Sequence, residues 1–175
     1  MLNNQKIIIQ PCTTADIDEI FMLYGIASAY QQTKNVVVWP NFERSFVETE
    51  INENRQWKLL VDSTIACNWA ITFSDADIWE ERENNASIYI HRICVNPAYR
   101  GNNFVKLIVE WAKEFAATNN KKFIRLDTLG YNIKLIEHYT GAGFEFLGMF
   151  RLKNTQQLPS HYQKQPDCCL FEIRL

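Results

Sequence analysis

Ile90-His91-Arg92-Ile93-Cys94-Val95-Asn96-Pro97-Ala98-Tyr99-Arg100-Gly101 is the stretch that decides the fold. Its first half belongs to a run from Ser87 to Val95 with few breaks, which predicts a strand buried on both faces. Asn96-Pro97 turns the chain, and Phe104, Ile108, Trp111, Ala112 and Phe115 then recur at helical spacing to about Thr118. A helix that begins directly after a strand offers unpaired backbone N–H groups and the positive end of its dipole. Such an end suits a pyrophosphate. Local physics alone makes the signal weak: Arg100 to Lys106 holds one glycine and neither a Walker lysine nor a GxGxxG pattern.

Downstream, Lys122 to Thr128 reads as a strand and Ile133 to Thr140 as a short helix stopped by Gly141-Ala142-Gly143. Phe144 to Leu152 resumes as a strand. A polar, Gln-rich excursion through Pro159 and Pro166 follows, and Cys168 to Leu175 supplies the last strand. Upstream, Lys6 to Gln10 is a strand closed by Pro11. Thr13-Thr14 offers a cap for an amphipathic helix running to about Gln31, and Val36 to Pro40 is a loop. A second helix, roughly Glu43 to Asn54, has Phe46, Val47 and Ile51 on one face and an acidic outer face of Glu43, Glu48, Glu50 and Glu53. Trp57 to Val61 and Ile65 to Phe73 form a hairpin through Asp62-Ser63-Thr64. Ser74 to Asn85, acidic around Trp79, is either a solvated loop or a lip over a site. No repeat or linker interrupts the chain, so residues 1–175 are expected to be a single domain.

Two runs carry a resemblance. Ile90 to Gly101 is similar to the strand and turn that open the acetyl-CoA motif of the GNAT superfamily of N-acetyltransferases. That motif continues as Arg or Gln, two residues, Gly, one residue, then Gly or Ala. Arg125-Leu126-Asp127-Thr128, then Asn132, then Glu137-His138-Tyr139-Thr140-Gly141-Ala142-Gly143-Phe144 resembles the second signature of the same superfamily. With the element order above, the resemblance implies an α/β (α+β) fold: a mixed, mainly antiparallel sheet of about seven strands with helices on both faces. Arg100 keeps the first motif position, but Asn103 and Val105 stand where small residues are expected, so the pyrophosphate loop is degenerate. Asn tolerates left-handed backbone angles. Val105 is branched at Cβ where the motif wants almost no side chain, although its amide remains.

The resemblance also assigns roles. Acetyl-CoA is the implied acyl donor, its pantetheine arm pairing with the backbone of Ile93, Cys94 and Val95. After Arg100 and Gly101, the amides of Asn102, Asn103, Phe104, Val105 and Lys106 hold the pyrophosphate, and the Asn132 side chain reaches the arm. Tyr139 matches the tyrosine that protonates the departing thiolate. A homodimer through the last strands is implied as well.

Chemistry adds the base. An amine acceptor arrives as ammonium and must lose a proton, and His91 stands where many GNAT enzymes place a glutamate. A neutral imidazole there is a competent base; a histidine hydrogen-bonded within the sheet is the other reading. Asp127 ranks second as base; it could hold a water or a partner's hydroxyl, or equally be tied to backbone amides. Arg92 is expected on the opposite face from His91, paired with a carboxylate, and His138 in solvent. The stretch Asp75 to Glu83, with Trp39 and Trp69, would favour a cationic amine.

Composition excludes several classes. Net charge is −2, so no general field draws in nucleic acid or an anionic membrane. No apolar run approaches the ~20 residues of a membrane span, and Met1 to Lys6 with three Ile behind it is too short for a signal core. Five cysteines, Cys12, Cys67, Cys94, Cys168 and Cys169, form no CxxC pair, so neither a disulfide framework nor a zinc site is expected and the location expected is cytoplasmic. The expected activity is acetyl transfer to a small-molecule or peptide primary amine by direct attack, without a metal. A non-catalytic acyl-CoA or metabolite binder, or an interaction module of the same fold, is the competing expectation.

Overall fold

The structure, a computed structural model, describes residues 5–175. Met1 to Asn4, on which part of the signal-core reading rests, lie outside the described residues. The strands are β1 (Ile7–Pro11), β2 (Gln56–Val61), β3 (Thr64–Thr72), β4 (Ser87–Val95), β5 (Phe123–Leu129), β6 (Glu145–Arg151) and β7 (Asp167–Arg174). The helices are α1 (Ile17–Thr33), α2 (Arg44–Asn52), α3 (Ala76–Trp79), α4 (Phe104–Thr118), α5 (Ile133–Thr140) and α6 (Ser160–Lys164). One sheet runs β1-β2-β3-β4-β5-β7-β6, and every neighbouring pair is antiparallel except β4 with β5.

Helices cover both faces, as the sequence predicts. Ile108, Val109, Ala112 and Ala116 of α4 and Ile136 of α5 pack on Leu59, Trp69, Ile88, Ile90, Ile124 and Leu126. On the opposite face α1 and α2 bring Ile20, Leu23, Tyr24, Val47 and Ile51 against Ile65 and Cys94. The rest of that face is closed by Ile78 and Trp79 of α3 together with Leu152 and Leu158, over Tyr89, Cys168 and Leu170. Each such side chain contributes ~1.5–3 kcal/mol when fully buried, so the three clusters together define the core.

Four expectations need correction. Glu50 is not on an outer face: it is 0% exposed. Residues 47, 50 and 51 share one helical face, so position overrides residue type there. Its two carboxylate oxygens take Arg92 Nη2 at 2.6 Å each, and Gln56 Nε2 donates to Oε2 at 2.8 Å. Phe46, expected inside, is 44% exposed. The stretch 74–85 is no solvated loop, because Trp79 is buried with the Arg125 guanidinium 4.4 Å from its ring. The polar excursion before β7 contains α6, whose His161 is buried.

Candidate active site

The site follows from one extra residue in β4. Ala70 pairs with His91 and Asn68 with Cys94, so two steps along β3 match three along β4. Arg92 takes up the surplus with φ of 51°. This is a β-bulge, which bends a strand and interrupts its alternation. Ile88 and Ile90 face α4 before it, and Ile93 and Val95 pack on the same core after it. His91 and Arg92 therefore point to one face, not to opposite faces as strict alternation predicts. Arg92 does find its carboxylate, Glu50.

The bend also separates β4 from β5. The two strands pair only over Ser87–Tyr89 with Phe123–Arg125. Beyond that point Cys94 and Val95 stay paired with β3, Ile93 falls in the bulge, and all three turn a backbone edge unpaired with β5 toward the opening between the strands. Cys94 itself contributes backbone only. Its Sγ donates to Leu23 O at 3.1 Å and burial pushes its thiol up to about 12.

At the mouth of the opening lies the start of α4. Asn103 caps it in the left-handed region with φ of 51°, a conformation Asn accepts. The Phe104 and Val105 amides have no intrahelical acceptor at this end, whereas Lys106 N–H donates to Asn103 O at 3.1 Å. Val105, the apparent obstacle, is 5% exposed and its side chain packs into the α4 core. Nothing lies within 4 Å of a Cβ built at Gly101, so the loop that leads into α4 is open at that residue. Asn102 is occupied internally, donating from Nδ2 to Tyr99 O at 2.8 Å. Arg100 is exposed, with its guanidinium 4.6 Å from the Tyr30 ring. An open strand edge beside free helix-start amides fits an extended thioester arm ending in a pyrophosphate.

Asn132 caps α5, its Oδ1 accepting from Lys134 N at 3.1 Å, which leaves Nδ2 as its group for a ligand. Tyr139 packs edge-on against Phe144 and tilted against Phe171. Burial, with Asp127 and Cys67 nearby, pushes its phenol up to about 12. His138 is exposed, as expected.

Opposite α4, the structure gathers a group that sequence reasoning left scattered. Ligand-type atoms of Asp75, His91 and Asp127 lie within 4.8 Å of one another. Thr72 Oγ1 is 3.3 Å from His91 Nε2, and Tyr162 of α6 donates its hydroxyl to Asp127 Oδ2 at 2.9 Å. Burial first, then Arg92 and Arg55, pushes His91 down to about 3, so its ring is neutral at physiological pH. Asp127 Oδ2 is already engaged by Tyr162, and we assign no metal to this group. Asp75 looked like one acid among many, and only the fold turns it inward. The other acids of its stretch are spent locally: Lys153 Nζ meets Glu81 at 2.7 Å, its amide meets Glu80, and Glu83 accepts from Asp75 N–H at 2.9 Å. Trp69, expected near the substrate, is 0% exposed behind Trp111. Trp39 instead borders a groove of about 610 Å³ between Val36–Pro40 and Ser160–Gln165.

Comparison with known proteins bears on the family and the fold. Residues 69–144 match the family model described as Acetyltransferase (GNAT) family. The uncharacterised N-acetyltransferase YesJ of Bacillus subtilis is 30% identical over 74 residues, 42% of this chain. That match spans only 41% of YesJ. A GNAT-family acetyltransferase structure from Listeria monocytogenes superposes with a TM-score of 0.74 at 19% identity, over 98% of this chain and 100% of that one. Another from Streptococcus agalactiae gives 0.75 at 15% identity, over 97% and 95%. A Salmonella typhimurium structure, solved with acetyl-CoA as its cofactor, gives 0.69 at 11% identity over 97% and 94%. At these identities the structures establish the fold.

Proposed function

We propose that this chain, whose residues 69–144 match the GNAT family model and whose fold is that of GNAT-family structures, transfers an acetyl group from acetyl-CoA to a primary amine. The observation that carries the proposal is the unpaired Ile93–Val95 edge lying beside the open start of α4. Acetyl-CoA would supply the activated acetyl thioester. The Ile93–Val95 backbone orients its arm, and the Phe104 and Val105 amides, with Asn103 shaping the cap, bind the pyrophosphate. Asn132 Nδ2 steadies the arm on the α5 side.

Tyr139 donates the proton that the leaving sulfur needs. A phenol near 12 is a poor donor to an ordinary thiolate of ~8.5. The same burial that raises Tyr139 also raises thiols, as Cys67 beside it demonstrates. A thiolate leaving here is correspondingly more basic, which narrows the gap. The expected location remains the cytoplasm; among the described residues no helix is long and apolar enough to cross a membrane.

Calorimetric titration with acetyl-CoA, and with free coenzyme A as control, tests the proposal. Saturable binding in the micromolar range is expected. No heat up to millimolar coenzyme removes acetyl transfer and leaves an interaction module; binding without turnover of any amine leaves a non-catalytic acyl-CoA binder.

A further inference from the structure

The next inference rests on the acetyl-transfer reading and concerns how the acceptor loses its proton. Asp75 sits at the start of α3, His91 on β4 and Asp127 on β5, and their ligand-type atoms converge within 4.8 Å. His91 Nε2 lies 3.6 Å from Asp75 Oδ2, beyond hydrogen-bond range. Among the described residues Asp75 Oδ2 has no hydrogen-bond partner, although it is buried. A buried carboxylate oxygen left unpaired is costly, and the cost is offset when a cation arrives there. Asp127 cannot play that part as freely, since Tyr162 already holds it.

We propose that Asp75 seats the acceptor's primary ammonium group at its free Oδ2 and takes the proton from it, with His91 as a neutral neighbour. As the ammonium N–H bond breaks, an O–H bond forms on Asp75 and the electron pair stays on nitrogen. The amine is then neutral and nucleophilic. Asp75 returns its proton to water before the next acceptor binds.

The surroundings support that division of labour. His91 faces Arg92 on its own strand and Arg55 before β2, which with burial disfavour an imidazolium. Asp75 faces Asp127 on β5, Glu83 and Asp77 on its own segment, Tyr162 on α6 and Cys168 on β7. Burial first, then those carboxylates, pushes it up to about 8. A base in that range both accepts from an ammonium and releases to water near neutral pH. An arriving cation favours the carboxylate, so loading the acceptor prepares the base.

A carboxyl 13C NMR titration of the full chain, with and without n-butylammonium chloride, tests this. The Asp75 signal, assigned through Asp75→Asn, is expected to titrate near 8, and the amine should lower its midpoint by about one unit. Asp77→Asn, which removes one of the carboxylates that raise Asp75, should lower the midpoint but keep the response to the amine. The His91 ring should stay neutral throughout. A midpoint that the amine does not move, or an imidazole that protonates in place of Asp75, overturns the proposal. Zinc that shifts Asp75 and His91 where butylammonium does not would make the trio a metal centre and overturn it too. Acetyl-CoA added to the same samples separates the two readings. Coenzyme binding without an amine effect sinks Asp75 alone, whereas an amine effect without coenzyme binding keeps the ammonium seat and sinks acetyl transfer.

Discussion

Tyr139 owes its raised phenol to burial and to the neighbouring Asp127, and its ring is held by Phe144 and Phe171. Phenylalanine keeps that packing and deletes only the hydroxyl that carries the proton. Tyr139→Phe is therefore expected to lower kcat by about 100-fold or more while leaving the acetyl-CoA Kd within about twofold. Steady-state kinetics beside calorimetry reads both, and an unchanged kcat removes Tyr139 from the chemistry. At this scale the sequence was partly legible. Tyr139 and Asn132 stand out as candidates because their neighbours form a recognisable signature. Asp75 was not, because nothing local separates it from Asp77, Glu80, Glu81 and Glu83. Glu50 was misjudged for a related reason: a charged residue reads as solvated until its partner is known, and Arg92 lies 42 residues away.

Periodicity located nearly every element, since burial repeats at 3.6 or 2 wherever one face meets the core. It failed at the bulge, where one residue of φ 51° breaks the count and carries Arg92 to the side of His91. It also failed at α6, too short for a pattern to show. The start of α4 yields a prediction of its own. Val105 reads in one dimension as an obstruction, yet its side chain is core. Val105→Gly is expected to cost ~2–4 kcal/mol of stability, from lost burial, a cavity and a helical glycine, without tightening acetyl-CoA binding. Urea unfolding and calorimetry on the same variant check it. Tighter binding at undiminished stability would return Val105 to the role of obstacle.

For the whole molecule, buried ionisable groups pull stability in opposite directions with pH. His91 and His161 are held below their unfolded value, so below ~6.5 the unfolded chain binds more protons and stability falls toward acid. Asp75 is held above its unfolded value, so between ~4 and 8 the native state binds the extra proton and stability falls toward alkali. Removing the second effect should expose the first. Asp75→Asn is expected to lose stability more steeply than the wild type between pH ~6.5 and ~4 in urea titrations; equal slopes would mean that Asp75 carries no displaced proton.

The surplus residue in β4 has a consequence that reaches past this one chain. A sheet strand is a ruler with two marks, and inserting or removing one residue shifts every later side chain by half a period. A sequence one residue shorter between His91 and Ile93 would bring β3 and β4 back into step, restoring the alternation of β4, on whose break its open edge depends. Under the proposed function, such a chain would lack the edge that orients the acyl-CoA arm. Alignments that treat a single gap in β4 as noise would therefore merge chains with an open β4 edge and chains whose edge is closed. A gap count at this position is a cheap way to sort distant relatives.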